Sequence, residues 1–118
     1  MLEAYNPAMR IGIAQINPRV GAVKQNVEEV LSRIAEAKQA ECDLVIFPEL
    51  ALCGCPLFEV VRRAGFVDRV EMALQAVIDA SNGIGVIVGG VSLPKAKPTV
   101  AGTGHKLLDS AFVISSGS

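Results

Sequence analysis

The stretch Val45–Pro56, "VIFPELALCGCP", places one carboxylate, Glu49, inside an otherwise apolar run beside two of the chain's three cysteines. A carboxylate at the end of an apolar segment is partly desolvated, which raises its pKa and suits it to take a proton near neutral pH. A thiol that lost its proton to such a base would be a nucleophile. Glu49 has two plainer readings, a solvated loop residue or a carboxylate stabilised at a helix N-terminus. The cysteines carry less chemistry. Cys53 and Cys55 form C-x-C, which does not fit the C-x-x-C of thioredoxin-like redox centres. Cys42, Cys53, Cys55 and His105 lack a standard zinc spacing, so the sequence implies no metal site. Small apolar filler is the simplest role for all three thiols, and His105, in a glycine-rich loop, reads as a surface residue.

These residues need elements to position them. Met9–Asn17 begins with strand-like alternation, and Asn17-Pro18 closes it. Lys24 to Glu41 has helical periodicity, with Val27, Val30, Leu31, Ile34 and Ala35 on one stripe and a Glu29–Arg33 pair on the opposite face. Leu44–Phe47 is a short, wholly apolar strand suited to a parallel sheet covered on both faces. Phe58–Ala64 is expected to form a short helix. Phe66–Ala80 should form a longer one with Phe66, Val67, Val70, Ala73, Leu74, Val77 and Ile78 inward, capped near Asn82-Gly83. Ile84–Leu93 and Lys106–Ser115 read as strands. The loop between them holds no helix, so an antiparallel hairpin is expected. The glycines of "GIGVIVGG" lack the strand–turn–helix order of a dinucleotide fingerprint and are read as permitting close packing.

The order strand, helix, strand, helix, strand, strand is an α/β arrangement with a mostly parallel sheet. Sites in such folds lie at the C-terminal ends of the strands, where Glu49 falls. The 118 residues suit one domain, with residues 1–8 as an extension and 9–118 as the folded part. The chain is 51% hydrophobic, with 19% charged residues and a net charge of −1. That balance, with aromatics at 4% and no tryptophan, gives no footprint for nucleic acid. No apolar run reaches the roughly 18 residues of a membrane span. The N-terminus does not resemble a secretory signal, and an odd cysteine count fits free thiols in a reducing cytoplasm.

"MRIGIAQINPRVGAVKQNVEEVL" and "DLVIFPELALCGCP" together resemble the carbon–nitrogen hydrolase (nitrilase) superfamily, in which a strand delivers a glutamate in an "FPE" context. The resemblance runs from Met9 to Ser118. It is nearest to the N-terminal glutaminase domains of glutamine-dependent NAD synthetases, which commonly read "PELALTGYP" at the second block and "LYNSA" where this chain has "LLDSA". It implies part of an α-β-β-α sandwich, a homo-oligomer, glutamine as substrate, and a glutamate–lysine–cysteine triad that hydrolyses the amide through a thioester. Glu49 matches the glutamate. Lys95, Lys97 and Lys106 precede the strand after which the family's lysine lies, and the family's cysteine lies further on still. The resemblance therefore implies a chain that is an N-terminal fragment and is inactive alone. It places no cofactor in this segment, and ATP and magnesium in a synthetase domain elsewhere. Two departures stand out: Cys55 occupies a position that is often aromatic, and Leu108-Asp109 replaces "YN", bringing an ionisable group to the fourth strand.

Two rival functions remain open at the sequence level. One is a different carbon–nitrogen hydrolase, such as an amidase, nitrilase or carbamoylase. The other is a non-catalytic interaction module, since the composition leaves apolar surface for a partner.

Overall fold

A computed structural model describes residues 8–54, 64–92 and 108–115. Its elements run β1 (Ile11–Ile13), α1 (Val23–Gln39), β2 (Leu44–Ile46), α2 (Phe66–Ala80), β3 (Gly85–Ser92) and β4 (Leu108–Ser115). The four strands form one sheet in the order β1-β2-β3-β4. The first three are parallel, and β4 returns antiparallel along the whole length of β3. This is the expected α/β sheet with a hairpin at its end. β2, β3 and β4 lie within two residues of the expected ranges at each end, whereas β1 ends at Ile13, four residues before the expected close at Asn17. The expected Phe58–Ala64 helix, Cys55, Lys95, Lys97, Lys106 and His105 lie outside the described residues, except that Ala64 is a turn residue.

Both helices lie on one face of the sheet. The two crossovers step the same way across it, and crossovers of one hand then put their helices on one side. α1 packs against α2, and the pair rests on β2 and β3. The buried stripe of α1 is Val23, Asn26, Val30, Ile34 and Ala37, spaced three and four apart. Val27 and Leu31 flank it half-buried, whereas Ala35 faces solvent, correcting its expected place on the stripe. The periodicity locates the stripe's centre better than its edge, and Ala37 rather than Ala35 meets the sheet. α2 buries Phe66, Val70, Ala73 and Val77 fully, with Val67, Leu74 and Ile78 alongside. Val45, Val86, Val88 and Ile114 close the core from the sheet. Each fully buried side chain of this size contributes roughly 1.5–3 kcal/mol. On the exposed face of α1, Arg33 reaches Glu29 at 3.1 Å and Glu36 at 2.9 Å. The surface setting, open to solvent and salt, leaves such pairs little weight in stability.

The opposite face differs from the expectation. The wholly apolar run predicts cover on both faces of β2, but Leu44 and Ile46 are only half-buried, and no element of the described residues lies over them. Sheet register aligns Ile13, Ile46, Ile87 and Val113 across all four strands on that face.

Candidate functional site

Glu49 follows β2 immediately, and its position is set by how that strand leaves the sheet. The Phe47 N–H donates to the Ile87 carbonyl at 2.9 Å, and the Leu52 N–H donates to the Gly89 carbonyl at 3.1 Å. Between those two anchors β3 advances by two residues while the β2 side advances by five. Residues 48–51 must therefore arch away from the sheet, and Glu49 rides on the arch.

Three local features make the arch possible. First, it lies directly on Gly89. A Cβ there would sit 2.4 Å from the Leu50 nitrogen and 3.0 Å from the Pro48 oxygen, so the backbone of β3 must be bare at this point. Second, Leu50 takes a left-handed conformation at φ 53°, which is strained for a branched side chain. The chain holds it there with a tight turn in which the Cys53 and Gly54 N–H groups both donate to the Leu50 carbonyl. Third, the turn is pinned from the β1–α1 loop. The buried Asn26 donates from its amide to the carbonyls of Arg19 (2.7 Å) and Leu52 (3.3 Å), and its Oδ1 accepts from the Arg19 N–H at 2.9 Å. Gly21 adds a backbone bond to the Cys53 carbonyl at 2.9 Å. Gly54 is packed so closely on Arg19 that a Cβ would lie 2.6 Å from its backbone.

The arch forms one wall of an open cleft of about 380 Å³ at the C-terminal ends of the parallel strands. Phe47, Pro48 and Glu49 supply that wall, Ile87 and Gly89 the floor, and Asp109, Ser110 and Ala111 the far side. Register explains the juxtaposition. Ala111 pairs with Gly89, and Asp109 stands two residues further along β4, opposite Val91. The carboxyl groups of Glu49 and Asp109 come within hydrogen-bonding reach of each other. That hydrogen bond, the negative charge of Asp109 and a smaller loss of hydration all raise the pKa of Glu49. Among the described residues no cation lines the cleft. The expected desolvation of Glu49 is thus its least cause of perturbation, because the side chain is exposed and its neighbour is another acid.

The cysteines stand apart from this arrangement. Cys53 is fully buried under the turn and does not line the cleft. Cys42 is half-buried, its sulfur packed toward Gly12 at the opposite end of β2. The described residues contain no group of three or more potential metal ligands. The role of Asn26 and the partner of Asp109 escaped the sequence reading. Asn26 sits at an inward position of α1, where a polar residue signals a buried hydrogen-bonding role. Asp109 carried a signal of its own, as an ionisable residue in a strand, but its partner depends on sheet register.

A family model for carbon-nitrogen hydrolases matches residues 10–118. The chain belongs to the carbon-nitrogen hydrolase family. Among relatives, the chain is 42% identical over 82 residues to a glutamine-dependent NAD(+) synthetase of Xanthomonas campestris, covering 69% of this chain and 15% of that protein. A second, from Synechocystis, is 34% identical over 108 residues, covering 91% of this chain and 19% of that protein. The chain therefore spans less than a fifth of the length of either relative. Among solved structures, the glutamine-dependent NAD+ synthetase of Acinetobacter baumannii superposes with a TM-score of 0.79 at 24% identity, over 93% of this chain and 19% of that one. As in the resemblance drawn from the sequence, the matches run through the "FPEL" block and the mostly parallel sheet that carries it. The carbon-nitrogen hydrolase fold is thus common to the chain and to this neighbour.

Proposed function

We propose that this chain is the opening part of a glutamine amidohydrolase domain, with Glu49 as its general base. The observation that carries the reading is the place of Glu49: on an arch built for it, at the C-terminal end of a parallel strand, facing an open cleft. In the reaction, the Glu49 carboxylate takes the proton of a cysteine thiol, and the thiolate attacks the side-chain amide carbon of glutamine. Glu49 returns that proton to the departing nitrogen as ammonia leaves and a thioester remains; water then attacks the thioester while Glu49 accepts its proton, which passes to the departing thiolate as glutamate is released. A lysine ammonium would hold the oxyanion. This reading assigns the lysine and the cysteine to sequence outside these 118 residues. The names of the relatives, glutamine-dependent NAD(+) synthetases, support glutamine as the substrate and NAD(+) synthesis as the destination of the ammonia; ATP-dependent amidation of deamido-NAD is what the family resemblance implies for that second reaction. ATP and magnesium belong to that second reaction, and no step at Glu49 runs through them. A thiol nucleophile also suits a reducing, cytoplasmic setting.

The test is a glutaminase assay on the longer protein that contains this segment, with Glu49→Gln beside the parent. Loss of at least about 100-fold in kcat, with the fold intact by circular dichroism, supports the base role. Retention of kcat sinks it. Offering glutamine against simple aliphatic amides separates this reading from that of a general amidase. The 118-residue chain alone is expected to turn over neither.

A further inference from the structure

We propose that Asp109 is a positioning residue for Glu49: across the cleft its carboxylate accepts a hydrogen bond from protonated Glu49, holding the side chain against β4 until the proton departs. The proposal rests on the base role of Glu49 for its functional meaning, but its geometry stands alone. Asp109 is fixed by the β3–β4 ladder, which runs unbroken from Gly85–Ser115 to Ser92–Leu108. At the same end, the Ser92 and Ser110 hydroxyls meet at 2.7 Å and tie the two strands beside Asp109. Glu49 is fixed by the arch on Gly89, which admits no Cβ. Two rigid supports thus aim two carboxyl groups into one cleft from opposite walls.

The other groups around Glu49 do not compete for it. Phe47 and Pro48 on its own segment are apolar, as is Ile87 on β3. On β4, Ser110 is neutral and its hydroxyl is engaged by Ser92. Asp109 is therefore the titratable neighbour of Glu49 among the described residues of the cleft. With one proton between them, the Glu49 O–H donates and the Asp109 oxygen accepts. With none, two carboxylates face each other and repel, and Glu49 swings free into the cleft. Docking and ionisation are then one event, so Glu49 is released in the protonation state that a base requires.

The experiment is a carbon-detected NMR titration of the Glu49 carboxyl in the 118-residue chain, for the parent, Asp109→Asn and Asp109→Glu. The expected result is a raised midpoint in the parent, a return to the ordinary glutamate range in Asp109→Asn, and a raised midpoint again in Asp109→Glu. A merely structural role for Asp109 would not produce that pattern, since both variants preserve approximate shape. An ordinary midpoint in the parent, or a raised one that Asp109→Asn leaves in place, overturns the proposal. Should Asp109→Asn fail to fold, Asp109→Ser replaces it. Should both fail, the parent decides: a raised midpoint that falls at high salt supports the pairing, and one indifferent to salt overturns it. These readings involve no turnover. Loss of the pairing therefore leaves the glutaminase reading intact, and an active Glu49→Gln enzyme would refute that reading without touching the pairing.

Discussion

At the scale of single residues, Glu49 and Gly89 are two halves of one device. Glu49 holds its proton more tightly in the folded chain than in the unfolded one, through the hydrogen bond and the charge of Asp109. A raised carboxyl pKa favours the folded state at acid pH. That advantage is complete below the unfolded value of about 4.3 and is lost as pH rises through the folded value. Glu49→Gln removes the dependence. Thermal melts should show the variant gaining on the parent as pH rises from the unfolded value through the folded one, and a constant difference would contradict the proton-sharing geometry. Gly89 fixes where the carboxyl sits. In Gly89→Ala a methyl group would meet the Leu50 nitrogen at 2.4 Å, so the arch must lift. Chemical denaturation should show a loss of about 1–3 kcal/mol, with amide shifts concentrated at residues 47–52. A variant as stable as the parent, with those shifts unchanged, would mean that the arch does not lean on β3.

At the scale of elements, the segment after β2 is held by an element far from it in sequence. Asn26 belongs to α1, yet its side chain spans the β1–α1 loop and the turn beyond Glu49. Asn26→Ala leaves the Arg19 N–H and carbonyl, which are partly buried, and the buried Leu52 carbonyl without that partner, a loss of about 1–3 kcal/mol. Hydrogen exchange tests this directly: the Arg19 amide should exchange faster in the variant, while the centre of α2 should keep the protection set by global stability. Unchanged exchange at Arg19 would show that the clamp is unnecessary. The same elements show what a sequence discloses. Strands and helices were legible because apolar periodicity is local, and Glu49 was legible because an acid inside an apolar run at a strand end is conspicuous. The carboxyl pair was not, since Glu49 and Asp109 are sixty residues apart and meet only through the register of β3 with β4. The clamp was not legible either, since helical spacing shows that Asn26 points inward and not what it bonds. Gly89 lay between these cases. Close packing was expected of the glycines in this strand, but which backbone would press on which glycine depends on where β2 departs.

At the scale of the molecule, the sheet has one filled face and one open face, and the open one carries the row Ile13, Ile46, Ile87 and Val113. Ile13 is 74% exposed and Val113 73% exposed, at opposite edges of the sheet, with Ile46 and Ile87 half-buried between them. A sheet gains from covering such a face at roughly 2.5 kcal/mol per 100 Å² of apolar area. In the two-sheet sandwich that the family resemblance implies, a second sheet would lie here. For the 118-residue chain in isolation, the available cover of matching shape is a second copy, face to face, at the roughly 10 Å spacing of packed sheets. Sedimentation should therefore show concentration-dependent association. Ile87→Lys should shift the chain toward monomer, because the lysine would enter the centre of the pairing surface. Met72→Lys is the control: Met72 is exposed at 73%, as Val113 is, but it lies on α2, on the far side of the sheet. Equal loss of association in both variants would point to general solubility instead of a face. A parent that stays monomeric at high concentration would show that this face tolerates water, and the need for a covering layer would fall with it.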